Sequence, residues 1–211
     1  MEALALVATA AGIHLLAVMS PGPNFVVISR NSLAYSRRSG MFTTLGVTSG
    51  VFILLALGFV GITALIAQSE TAYNAVRFAG AAYLVVIGVR SLMEASRSRV
   101  SASQESVRLP DGLGARASFR MGFITALTNP KAAVYLLAFF TTIISAHTGV
   151  GVKVTLLFLM PTITFSWYSI MAWLFSHPVL RRKYARFERW AHVVFGVLLI
   201  VLGAGVALSS R

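Results

Sequence analysis

Residues 4–28 read LALVATAAGIHLLAVMSPGPNFVVI. A bilayer-spanning helix needs about 20 mostly apolar residues, and this stretch supplies them. Near its end comes Ser20-Pro21-Gly22-Pro23-Asn24. Proline has no backbone N–H and its ring clashes with the preceding turn, so the sequence predicts a membrane helix broken at these residues. The rest of the chain has the same character. Its 211 residues are 57% hydrophobic and 11% charged, with a mean hydropathy of +0.79. Soluble domains run about 45–50% apolar and about 25% charged. So few charges cannot cover a soluble core, and disorder is excluded for the same reason. The length suits one compact unit.

Five further apolar segments follow, at about 40–67, 72–93, 119–145 with Pro130 inside, 152–176 with Pro161 inside, and 190–208. The N-terminus, with Glu2 and no basic stretch, does not read as a cleavable signal peptide and is kept as the start of the first helix. The basic residues give a net charge of +12. Such an excess ordinarily raises nucleic acid as a partner, but its distribution points elsewhere. Arg30, Arg37 and Arg38 follow the first helix. Arg90, Arg97, Arg99, Arg108, Arg116 and Arg120 follow the third. Arg181, Arg182, Lys183, Arg186 and Arg189 follow the fifth. The other connections carry only Arg77 and Lys153, and the tail Arg211. Basic loops stay in the cytoplasm. The alternation therefore predicts six spans with both termini outside, and no nucleic-acid partner. The run from Arg181 to Arg189 is also suited to touch anionic lipid headgroups.

The two halves resemble each other. Gly12 precedes Pro21 as Gly122 precedes Pro130. Arg77-Phe78-Ala79 with Tyr83 parallels Arg189-Trp190-Ala191 with Phe195. Pro21 to Arg77 is 56 residues, and Pro130 to Arg189 is 59. Three helices per half make the repeat inverted, a common plan for secondary transporters. The expected fold is thus all-α and integral to the membrane: six transmembrane helices in a 3+3 inverted repeat, with helices one and four broken. It forms a single transmembrane domain over 1–211, with half-repeats 1–95 and 117–211 joined by a cytoplasmic linker at 96–116.

The second break is Thr128-Asn129-Pro130-Lys131. Asn followed by Pro is a good N-cap and first-turn pair. A half-helix that starts there presents free N–H groups and a positive dipole end, which bind anions such as a substrate carboxylate. The alternative is a proline kink satisfied by neighbouring helices. Lys131 lies about twelve residues into helix four, about 18 Å along the axis at about 1.5 Å per residue. A lysine at that depth is costly and functional by default. The candidate substrate-binding residues are Pro21, Gly22, Pro23, Asn24, Asn129, Pro130 and Lys131. His14 lies two turns before the first break and is the candidate for proton coupling, since an unperturbed imidazole switches near pH 6.5. A neutral, hydrogen-bonded histidine is the alternative. All six acids lie at helix ends or in loops, so a buried carboxylate is disfavoured for that role. His192 reads as interfacial. Gly46 and Gly50 have the spacing of close helix packing, Thr44 and Thr48 share a face that could line a polar path, and Pro161 is a candidate gating kink. No cofactor is expected. Zero cysteines, one aspartate and four scattered histidines give no metal cluster and no dithiol redox chemistry.

His14-Leu15-Leu16-Ala17-Val18-Met19-Ser20-Pro21-Gly22-Pro23-Asn24 resembles the opening motif of the lysine exporter / homoserine-threonine resistance (LysE/RhtB) family. Asn129-Pro130-Lys131 is similar to its second signature, and Gly80-Ala81-Ala82-Tyr83-Leu84 with Gly88 to its helix-three pattern. Arg181-Arg182-Lys183-Tyr184 with Arg189-Trp190 resembles the threonine-efflux branch. The resemblance covers nearly the whole chain. It implies a bacterial inner-membrane exporter of threonine, homoserine or related amino acids, driven by the proton gradient. Some relatives carry aspartate where this chain has Asn24, which removes one candidate proton carrier. The partners expected are an amino-acid substrate and the lipid bilayer, with a homo-oligomer left open. An integral membrane enzyme is the alternative, though no paired-acid or phosphate motif supports it; another is a membrane assembly subunit that transports nothing.

Overall fold

The computed structural model describes residues 2–68, 70–97, 113–144 and 148–176, and positions 190, 193–194, 196–197, 199–201 and 203–205 near the C-terminus. All regular structure among them is α-helical: α1 (Glu2–Met19), α2 (Pro23–Ala34), α3 (Arg37–Gln68), α4 (Glu70–Arg97), α5 (Ala115–Leu127), α6 (Pro130–Ile143) and α7 (Val150–Phe175). The basic run 181–189, His192 and most of the linker fall outside the described residues, as does much of the segment expected at 190–208.

The stretch 4–28 is two helices rather than one. Pro21 and Pro23 cannot donate to Ala17 and Met19, so α1 stops at Met19 and the chain restarts with Pro23 in the first turn of α2. Two residues then turn the chain into α3, where the Ser36 hydroxyl accepts from Ser39 N at 3.1 Å, as a helix N-cap does. α5 and α6 form the second broken element, with their axes bent by 52°. Three helices are long and apolar enough to cross a membrane, Glu2–Met19, Arg37–Gly61 and Val150–Phe175, and the bent pair makes a fourth. The expected span at 72–93 lies inside α4, but only Ala81–Met93 forms an apolar stretch there, because Glu70, Arg77, Arg90 and Glu94 charge the helix. The described residues therefore carry three or four spans, against the six expected. Leu57, Val60 and Phe158 project from the spans with more than half their surface open, as lipid-facing side chains do. α7 runs unbroken through Pro161.

α3 is the centre of the packing. It lies against α5 and α7 most extensively and against α2, α6 and α4 as well. The α3–α5 contact is backbone on backbone. A Cβ on Gly46 would overlap the Phe119 carbonyl, one on Gly122 the Thr43 carbonyl, and one on Gly50 would stand 2.7 Å from the Ala126 Cβ. α4 crosses the C-terminal segment the same way, with Gly88 and Gly196 each facing the other's carbonyl oxygen. Overpacking such a contact costs about 1–3 kcal/mol. Gly122→Ala should therefore lower the thermal midpoint in detergent. Gly12→Ala, whose Cβ meets nothing within 4 Å, should leave it unchanged or slightly raised.

Candidate functional site

The two breaks meet. Lys131 sits in the first turn of α6, where a cation is unfavourably placed against the positive end of the helix dipole. Its ammonium reaches across to the end of α1. Nζ donates to Ser20 Oγ at 2.7 Å, Pro21 O at 2.7 Å and Ser20 O at 3.4 Å. Those oxygens lie one and two residues past Met19, beside the negative end of α1, which offsets the unfavourable start in α6. Because α5 begins at Ala115, the lysine lies four residues deeper than the sequence reading placed it. Gly22 makes room for it: a Cβ there would stand 3.1 Å from Lys131 Cδ and 3.3 Å from Nζ.

Asn129 caps α6. Its Oδ1 accepts from Lys131 N at 3.0 Å and Ala132 N at 3.3 Å, with Pro130 in the first turn. α2 starts on Gly22 with no side-chain cap. Asn24 lies one residue past Pro23 and is buried, yet its Oδ1 has no hydrogen-bond partner among the described residues. The two asparagines thus differ: one oxygen is occupied by the helix cap, the other is unpaired.

A cavity opens between the breaks, with room of about 50 Å³ for the centres of water molecules. One water needs roughly 10–15 Å³ on that measure, so several waters or the polar head of a small solute fit. Ser20, Gly22 and Asn24 line it from the first break, and Asn129 and Lys131 from the second. Pro21 contributes its carbonyl through Lys131, while Pro23 and Pro130 set the helix starts. His14 is on the same wall. Thr164 donates its hydroxyl proton to Met160 O at 3.1 Å, so at 2.9 Å it accepts from His14 Nε2–H. Nδ1 is then the acceptor for the Tyr135 hydroxyl at 3.3 Å. The network is complete with a neutral ring, and it ties α1 to α6 and α7. Gly46, Gly50 and Pro161 lie away from the cavity, the first two in the α3–α5 contact. The sequence reading missed Tyr135 and Tyr168. The signal was available: Tyr135 is four residues beyond Lys131 and Tyr168 four beyond Thr164, so each shares a helix face with its partner.

Residues 15–210 match the LysE type translocator family. The chain belongs to this family. The translocator is 30% identical over 207 residues to the threonine efflux protein of Escherichia coli (strain K12), covering 98% of this chain and 99% of the relative. It is 30% identical to the uncharacterized membrane protein YahN of the same strain, over 94% of this chain and 87% of that one. It is 35% identical to the leucine efflux protein of Salmonella choleraesuis (strain SC-B67), over 64% of this chain and 62% of the relative. No solved structure matches it. Family and relatives together mark a multi-pass membrane protein of the efflux type and a transporter in preference to an enzyme.

Because Asn129 acts through the cap, Asn129→Ala should cost about 0.5–2 kcal/mol of stability. Asn129→Ser, an equally good cap, should recover most of it. Thermal unfolding of both variants in detergent checks this.

Proposed function

We propose that the translocator exports a small, threonine- or homoserine-like amino acid from the cytoplasm by alternating access, coupled to the proton gradient. The observation that carries this reading is the placement of Lys131 and Asn24 on one cavity. A zwitterion needs a cation for its carboxylate and an acceptor for its ammonium. Lys131, backed by the capped N-terminus of α6, supplies the first. The unpaired Asn24 Oδ1 supplies the second, since the Asn129 oxygen is already occupied. A carboxylate arriving at Lys131 exchanges with the α1 oxygens on Nζ, and this loosens the tie between the two breaks. Binding is thereby linked to a change in how α1 sits on α6. Ala17, Val18, Val51 and Leu136 make the remaining wall largely apolar, and among the described lining residues Lys131 is the only fixed charge. A charged side chain would have no counter-charge there, so the pocket suits an uncharged one. The names of the threonine and leucine efflux relatives agree with that.

The inverted 3+3 plan is supported by paired contacts. α3 on α5 is matched by α7 on α1, α2 on α7 by α6 on α3, and α2 on α5 by α6 on α1. The contact of α2 with α3, which share a short turn, has no comparably strong counterpart between α6 and α7. The basic loops then face the cytoplasm and both termini lie outside. Protonation of His14 at Nδ1 turns that nitrogen from acceptor to donor. The Tyr135 hydroxyl must then rotate, which changes the tie between α1 and α6.

Counterflow of labelled amino acids in proteoliposomes, with and without a pH gradient, tests the reading. Lys131→Ala and Asn129→Ala should remove export from protein that still inserts; normal efflux from both would overturn the site. His14→Gln should keep exchange and lose accumulation driven by the pH gradient.

A further inference from the structure

The unpaired acceptor at Asn24 is one of several. On α2, Asn24, Ile28 and Asn31 share one buried face at positions i, i+4 and i+7. Asn31 is 1% exposed. Its amide nitrogen donates to Thr43 Oγ1 at 2.8 Å and lies 3.4 Å from the Met121 sulfur, but its Oδ1 has no partner among the described residues. On α3, Val51 lines the cavity, and Thr48 and Thr44 continue along the same face toward the helix start. The Thr48 hydroxyl is buried and also without a partner among the described residues. Thr44 makes only a 3.4 Å bond to the Tyr168 carbonyl on α7. Buried polar atoms are almost always paired, and each unpaired one needs a reason. These share a direction. They flank the contact of α2 with α3, Asn31 on its α5 side and Thr44 on its α7 side, from the cavity toward the end of α2 and the start of α3, where Arg37 and Arg38 lie.

We infer that this seam is the route by which substrate enters the cavity from the Arg37–Arg38 face, closed in the present conformation, with Asn31 and Thr48 as polar stations along it. This rests on the reading of the cavity as the substrate site. Asn31 lies seven residues beyond Asn24, about 10 Å along the helix at about 1.5 Å per residue. The ammonium of an entering amino acid meets the Asn31 oxygen first and the Asn24 oxygen second. Between them stands Ile28, fully buried. Beside it the rings of Phe25 and Phe175 meet edge to face at 5.4 Å. These apolar groups are the barrier, and the unpaired oxygens are hydrated when they part.

The chain has no cysteine, so single cysteines report accessibility cleanly. Thr48→Cys and Asn31→Cys should react with a membrane-impermeant thiosulfonate added at the Arg37–Arg38 face of vesicles, at least tenfold faster than Ala138→Cys, at a buried position on α6. Reaction at Ala138→Cys as fast as at Thr48→Cys, or none at either seam position, overturns the route. In threonine counterflow, Asn31→Leu should lower the maximal exchange rate at least tenfold while the half-saturating concentration moves less than threefold. Ile28→Ala should raise the exchange rate. If Asn31 merely holds a structural water, Asn31→Leu alters thermal stability and leaves exchange per folded molecule unchanged, which also overturns the proposal. Normal exchange by Lys131→Ala and Asn24→Leu would instead remove the substrate site itself. Loss in those two with normal Asn31→Leu would remove only the route.

Discussion

The structure depends on one ammonium group. Breaking a helix inside a membrane exposes carbonyl oxygens at one end and N–H groups at the other, and the bilayer offers no water to satisfy them. Here the two breaks meet this constraint together. The Ser20 and Pro21 oxygens in the break after α1 are taken up by Lys131, and the N–H groups of Lys131 and Ala132 at the start of α6 are taken up by Asn129. Each solution needs the other. Lys131 is tolerable at that depth because oxygens surround it, and the oxygens are tolerable because a cation reaches them. The cavity is what remains open around this junction.

The glycine contacts set the frame in which the junction sits. With Gly46 against Phe119 and Gly122 against Thr43, α3 and α5 touch at the backbone and leave little freedom to slide. α2 is different. It is short, starts on an uncapped glycine, and carries two buried asparagines with unpaired oxygens. One face of the molecule is thus tightly keyed, and an adjacent one holds polar atoms whose hydrogen-bonding needs are unmet in this conformation.

Much of this was legible in the sequence. The prolines placed both breaks, Asn129 before Pro130 gave the cap, and Lys131 declared itself as a charge far inside an apolar run. What Lys131 touches was not legible. Its position suggested an anion, while the structure puts helix-end oxygens around it, a contact 111 residues away in the chain. The division of labour between Asn24 and Asn129 was hidden for the same reason, since it depends on which oxygen the backbone already occupies. Helices apolar on every side give no stripe to mark the inward face. Tyr135 and Tyr168 therefore emerged only once Lys131 and Thr164 had fixed the faces of α6 and α7. The six-span count rested on six apolar segments, with charge alternation in support, and the described residues carry fewer spans because charges interrupt α4 and much of 190–208 lies outside them.

That 111-residue separation has a consequence for biogenesis. The membrane receives the chain from its N-terminus, so α1 and its break are in place long before Lys131 is synthesised. Until then the carbonyls of Ser20 and Pro21 have no cation to satisfy them. The break between α1 and α2 is thus completed only by α6, and the lysine is the suture that joins these distant parts of the chain.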